Sequence, residues 1–202
     1  MFMPKGFSDK QRERIANSLV ATGKELFSQY GLKKTSIADI TKAVGISQGS
    51  FYSFYRSKEM LFYTVIKAEE EKIRERLMKE VDFTACDVKE NLKELMFWTL
   101  ELIEENTLIQ QLFSINEMET IMENIPKEAT ESHMQSDKQF LSEIIAKWQK
   151  EELLINEDTE VIVGLFRALF ILPFSKKSIG ESNYKRTIEI LVNFIAEGLI
   201  RR

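Results

Sequence analysis

The chain has 202 residues, of which 44% are hydrophobic and 30% charged, with a formal net charge of −4. That balance is enough for a sizeable core and argues against intrinsic disorder. One cysteine, Cys86, excludes an intramolecular disulfide, and with one histidine, His133, little is left for nucleophilic or metal chemistry.

Three prolines and eight glycines are few breakers for this length and favour helices throughout. Ser8 and Gln11 have the spacing of a capping box, and a stripe of Ile15, Leu19, Gly23, Leu26, Phe27 and Tyr30 follows at helical intervals, ending at Gly31. Thr35 and Ser36 both suit the cap of a short helix from Ile37 to Ala43, and Gly45 supplies a turn at positive φ. Ser47 opens a further helix of about two turns. Ser57 caps a long one running to about Val81. Asp87 and Glu90 form another capping pattern, ahead of Leu92, Leu95, Met96, Leu102 and Ile103. A short segment follows Thr107, and Pro126 suits the first turn of the next helix. A strongly apolar helix spans Val161 to about Phe174, with Pro173 near its end; residues 175–182 read as a loop, and the last helix runs from Ser182 to Ile200. No period-2 run bounded by turns predicts a strand. The expected fold is all-α, with about nine helices.

Charge divides the chain. Residues 1–60 hold ten Lys/Arg and five Asp/Glu, net +5, and the remainder is net −9. Anion affinity is therefore expected at the N-terminal end. That end also carries the most specific pattern. Ile40, Val44, Ile46 and Phe51 are spaced to fill a small core between two short helices, with Ala38 and Ala43 keeping the pair close, which is a helix-turn-helix over residues 37–53. The exposed face of its second helix then holds Ser47, Gln48, Ser50 and Tyr52. Gln48 suits adenine in a major groove. Gly49 lets the backbone come close to DNA, and Tyr52 suits a phosphate. Thr35, Ser36 and Lys58 lie at helix starts, where backbone N–H groups favour phosphate.

In these residues the chain resembles the TetR (tetracycline-repressor-like) family of transcriptional regulators. The pattern is carried by Phe27, Gly31, Thr35, Ile37, Ile40, Gly45, Ser47, Gly49, Tyr52, Tyr55, Lys58 and Leu61, within roughly residues 8–62. The resemblance implies phosphate contacts at Tyr52 and Lys58 and base reading at Gln48, Gly49 and Ser50. Three positions depart from the family's usage: Thr41 stands where alanine is usual, Phe54 where His or Tyr often reaches phosphate, and Tyr55 where a buried Phe is usual, so that its hydroxyl needs a partner.

The resemblance also implies a domain division, with DNA binding in residues 1–56, ligand binding and dimerisation in 57–202, and the 57–81 helix as connector. Expected ligand-pocket residues are Trp98, Phe113, Met118, Met122, His133, Phe140, Phe166 and Phe170, suiting a small apolar or aromatic effector. Glu101, Glu117 or Glu119 would offset a cationic one. For a homodimer built from the last two helices, the expected interface is Leu165, Leu169 and Leu172 with Ile188, Leu191, Val192, Ile195 and Leu199; Ile190, Phe194 and Ile200 fall outside that stripe. The partners expected are double-stranded DNA with a near-palindromic operator, a second copy, and the effector. The reading is a repressor that an effector releases, against an activator, a ligand-independent regulator or a helical adaptor. No enzyme activity, cofactor or metal is expected. No apolar run approaches the ~20 residues of a membrane span, and no signal peptide is evident, so a cytoplasmic location is expected.

Overall fold

The computed structural model describes residues 7–80, 87–112 and 125–201, with backbone alone for residues 80, 112 and 127–138. Among these the fold is all-α, as the sequence predicts. The helices are α1 (Asp9–Lys34), α2 (Ile37–Val44), α3 (Gln48–Phe51), α4 (Lys58–Glu80), α5 (Val88–Glu105), α6 (Thr107–Leu112), α7 (Lys127–Lys150), α8 (Thr159–Ile171), the single turn α9 (Lys176–Ile179) and α10 (Tyr184–Leu199). A 3-10 turn, Leu172–Ser175, joins α8 to α9. None of the described helices is long and apolar enough to cross a membrane.

Local chemistry sets the boundaries. Ser8 and Gln11 close a reciprocal capping box on α1, and Ser36 and Asp39 close one on α2. Gly31, at φ 81° and ψ 165°, breaks α1 so that residues 32–34 form a separate last turn. Gly45 caps α2 in the left-handed region at φ 78°, where L side chains clash with their own carbonyl. Ser57 receives the Met60 N–H at 3.2 Å and starts α4. Two expectations are corrected. Pro173, with no N–H to give, falls after α8 has ended at Ile171, and the chain tightens into 3-10 geometry instead of kinking a longer helix. Part of the expected 175–182 loop is the helical turn α9.

The described residues belong to two compact units, Met1–Lys72 with Thr107–Lys127, and Ile73–Asn106 with Glu128–Arg202. The boundary expected at 56/57 falls inside the first unit, because Leu61, Phe62, Val65 and Ile66 of α4 are fully buried. The core of this unit also holds Leu19, Phe27, Leu32, Ile40, Phe51, Leu108 and Ile109. Phe27 and Phe62 meet edge to face at 5.2 Å. A Cβ on Gly23 would stand 3.2 Å from Leu61, so α1 and α4 approach closely there. The core of the second unit gathers Leu92, Leu95 and Met96 of α5, Trp148 of α7, Phe166 and Leu169 of α8, and Ile188, Val192 and Leu199 of α10. Lys89–Glu197 at 2.9 Å and Glu104–Lys176 at 2.7 Å join the two ends of α5 to the C-terminal part of the chain.

One ion-pair network in the first unit carries a pH prediction. Glu69 is buried, and its carboxylate accepts from Lys24 at 2.7 Å and Lys72 at 2.9 Å. Burial pushes the Glu69 carboxyl up, but the two lysine hydrogen bonds and charges win and hold it below its ordinary 4.5. A depressed carboxyl pKa stabilises the fold above the unfolded value, and that contribution is lost as pH falls through the folded one. Glu69→Gln is expected to cost about 1–3 kcal/mol near neutrality. The gap from wild type should narrow as pH drops from about 6 to about 3, which urea melts at several pH values would measure. A gap that stays constant with pH would contradict the assignment.

Candidate nucleic-acid interface

The turn at Gly45 fixes where α3 points. The N–H groups of Gly45 and Ile46 both reach the Thr41 carbonyl, at 2.9 and 3.0 Å. Ile40 and Phe51 are buried, and Val44 and Ile46 half-buried, so the expected small core forms. Ala38 and Ala43 face solvent instead of the contact between the helices. Thr41 is buried, and its hydroxyl donates to the Ile37 carbonyl at 2.8 Å, so the larger side chain is satisfied within α2.

Ser47 caps α3, accepting the Ser50 N–H at 3.1 Å, and its hydroxyl lies 2.8 Å from that of Ser50. The helix itself is one turn, shorter than the two expected. Ser53 N–H and Ser53 Oγ both donate to the Ser50 carbonyl, and Phe54 N–H donates to Phe51 at 2.9 Å, so the backbone winds on in i→i+3 turns. Ser47, Gln48, Gly49 and Tyr52 are exposed, and Ser50 is partly so. Tyr52 is 58% exposed, its ring edge-on to Phe51 at 5.6 Å. Among the described residues neither Gln48 nor the Tyr52 hydroxyl has a hydrogen-bond partner. Gly49 has helical backbone, and a Cβ there would meet only Ser47 Oγ, at 3.8 Å.

Three expected contact residues are placed otherwise. Thr35 is buried, and its hydroxyl faces the Gly31 carbonyl at 2.8 Å and that of Leu26 at 3.2 Å, closing the end of α1. It is not presented to DNA. Lys58 donates to the carbonyls of Leu32 at 2.6 Å and Thr35 at 2.8 Å, so two of its three N–H bonds tie α4 to the α1–α2 junction. Its ammonium positions the helices, which removes the need for a bound phosphate to explain a cation at a helix start. Ser36 is exposed but engaged with Asp39, whose carboxyl is held low by the Ser36 hydroxyl and backbone N–H.

Sequence reasoning missed the support around α3. Arg12 Nη2 donates to the Ser53 carbonyl at 3.2 Å, and its guanidinium lies 5.2 Å from the centre of the Phe54 ring. Phe7 meets the same ring at 6.0 Å, so Phe54 is neither idle nor free for DNA. The available signal was three basic residues, Lys10, Arg12 and Arg14, at the start of α1. Tyr55 meets its need for a partner at Thr64, and burial raises its phenol above the ordinary value.

In the second unit, Phe166 is buried and meets Phe170 at 6.2 Å, while Trp98 and Phe140 are half-buried at the edge of the core. Arg76 lies over Trp98 at 5.5 Å and Arg74 over Phe140 at 5.6 Å, so cations, not carboxylates, stand at these rings. Glu101 is exposed. Phe113, Met118, Met122, Glu117 and Glu119 lie outside the described residues, as do Cys86, Val81 and the side chain of His133.

The expected dimer stripe is largely core. Leu169, Ile188, Val192 and Leu199 are buried, and Leu172, Leu191 and Ile195 are half-buried, leaving Leu165 exposed. Both helices are apolar around much of their circumference, so periodicity alone did not choose which face turns inward. The exposed apolar residues are Val161, Leu165 and Ile171 of α8 and Ile190 and Phe194 of α10, with Phe194 at 67%.

Residues 19–65 match the family described as bacterial regulatory proteins, tetR family. The chain is 35% identical to the transcriptional regulator YvdT of Bacillus subtilis over 91 residues, covering 43% of this chain and 44% of that one. It is 32% identical to the regulator QacR of Staphylococcus aureus over 66 residues, 33% of this chain and 35% of that one. The aligned stretch thus spans less than half of these relatives. Over the whole chain the fold is similar to that of a TetR-family regulator from Pectobacterium atrosepticum, with a TM-score of 0.73, 18% identity, and 97% and 99% of the two chains covered. A second such structure, from Mesorhizobium loti, gives a TM-score of 0.70 at 14% identity, covering 94% and 98%. With its capped, glycine-turned α2–α3 pair, the segment of residues 19–65 carries the helix-turn-helix of the tetR family, and the fold of the described residues is that of solved TetR-family regulators.

Proposed function

We propose that the chain is a homodimeric repressor that places α3 of each copy in successive major grooves of a near-palindromic operator and is released by a small effector. The observation that carries this reading is the open face of α3. Gln48 and Tyr52 are exposed without partners among the described residues, beside a glycine whose missing side chain leaves the backbone approachable. Base readout falls to Gln48, with Gly49 and Ser50 beside it; phosphate contacts fall to Tyr52 and Ser47. The basic N-terminal part supplies the field that draws a duplex to this end. The exposed apolar residues of α8 and α10 supply the dimer surface.

The effector site falls in the second unit, around Trp98, Phe140, Phe166 and Phe170. An effector acts only through different affinities for the bound and released states. Helix α4 runs without a break from Lys58 in the first unit to Glu80 in the second, so its displacement is the proposed link.

Selection of bound genomic fragments tests this directly. Enriched fragments should share a near-palindrome with half-sites roughly 34–36 Å apart. If ~6–8 phosphates are neutralised per dimer, log K should fall with log salt at a slope of roughly −5 to −7. Gln48→Ala is expected to cost about 1–3 kcal/mol on the selected site and to relax base preference at one position per half-site. Tyr52→Phe should weaken all sequences alike. No enrichment, or equal loss from both variants on every sequence, would count against this arrangement.

A further inference from the structure

The geometry points to Arg12 as a phosphate-contacting residue of the DNA surface, held ready by Phe54; the inference rests on the DNA-binding reading above. Arg12 lies in the first turns of α1, outside the matched family segment, which begins at residue 19. Yet it crosses to the far end of α3. Its Nη2 donates to the carbonyl of Ser53, the residue that follows the exposed Tyr52.

Three features separate this from an ordinary solvated charge. The first is the anchor. The guanidinium rests over the Phe54 ring at 5.2 Å, and Phe7 packs on that ring in turn, so the side chain is stacked and not freely rotating. Stacking settles the rotamer before DNA arrives, which lowers the entropy cost of a contact. The second is spare capacity. A guanidinium has five N–H donors; Arg12 is exposed and makes no ion pair among the described residues, and its bond to Ser53 leaves the rest of the fork available. The third is local electrostatics. The Ser53 carbonyl oxygen is a poor neighbour for phosphate, and the Arg12 cation bonded to it reverses that sign beside Tyr52. One residue thereby braces the recognition turn and presents a planar donor where the strand backbone would pass.

The test uses the full-length protein and a fluorescein-labelled duplex of mixed sequence, because phosphate contacts govern non-specific binding too. Anisotropy titrations between about 50 and 200 mM salt give the slope of log K against log salt. Arg12→Gln keeps an amide donor on a shorter side chain but removes the charge. It should weaken binding about tenfold or more and make the slope shallower by about 2 per dimer, one for each copy, with little change in thermal melt. Arg12→Lys should restore most of the slope. Phe54→Leu, which removes the stack and keeps the charge, should weaken binding less and leave the slope near wild type. An unchanged slope in Arg12→Gln, or a fall in melting temperature that by itself accounts for the lost binding, would overturn the inference and leave Arg12 a brace only. Wild-type protein that fails to bind the duplex even at low salt would instead reject the DNA-binding reading, and the inference with it.

Discussion

Phe194→Glu is expected to split the dimer and to abolish tight DNA binding while leaving the helical fold of each chain in place. Phe194 is 67% exposed, and with Ile190 it lies along one side of α10, at i and i+4. Val161 and Leu165 repeat that interval on α8. Exposed apolar residues at helical spacing form the surface that the proposed second copy would cover. Burying a phenylalanine stabilises an interface by about 1.5–3 kcal/mol. A two-fold interface counts each residue twice, so the pair contributes about 3–6 kcal/mol, or roughly 10²–10⁴ in the dimer dissociation constant. The consequence for DNA is larger than that for assembly, because two linked heads gain roughly 10²–10⁴ over one by effective concentration. Sedimentation velocity at micromolar protein should show a monomer, and the selected operator should be lost at concentrations that saturate wild type. The contrasting variant is Val192→Glu. Val192 is fully buried in the core of the second unit, so that change should unfold it. A Phe194→Glu protein that stays dimeric at low micromolar concentration would move the interface elsewhere.

That contrast also shows what periodicity can and cannot deliver. The capping boxes at Ser8 and Ser36, the left-handed turn at Gly45 and the start of α4 behind Ser57 were legible, because each depends on residues within three or four positions of one another. The faces of α8 and α10 were not. Val192 and Phe194 are both large, apolar and two residues apart, and only the packing of α5 against these helices buries one and leaves the other out. Lys58 and Thr35 failed for a related reason. Each serves carbonyls near the end of α1, where Gly31 interrupts the helix, and one of those bonds joins residues 26 apart. Arg12 and Ser53 are 41 apart. Long side chains spanning such intervals leave no local pattern. The single turn of α3 was missed because Ser53 draws the backbone into tighter turns, a competition that a hydroxyl wins only in some contexts.

The glycines at 45 and 49 are four residues apart and are expected to fail in opposite ways when changed to alanine. Gly45 has φ +78°, and a methyl group added there would find nothing within 4 Å, so Gly45→Ala meets no neighbour and suffers only backbone strain. That strain costs roughly 1–2 kcal/mol. It should lower the melting temperature, and DNA affinity should fall only as far as the folded fraction does. Gly49 has ordinary helical backbone and open space, its nearest atom for a Cβ being Ser47 Oγ at 3.8 Å. Alanine is the better helix former, by up to about 1 kcal/mol, so Gly49→Ala should melt at or above wild type. Its methyl group nevertheless stands on the face proposed to approach DNA. If the backbone of α3 lies against the duplex there, affinity should fall about tenfold with alanine and a hundredfold or more with leucine, because the whole reading head is held off bases that it contacts at short range. Lost binding without lost stability is the signature of a contact surface, and lost stability that carries binding down with it is the signature of a structural turn. Thermal melts and operator titrations on the same three preparations would separate them. A Gly49→Leu protein that binds the operator as wild type does would mean that α3 does not enter the groove by this face.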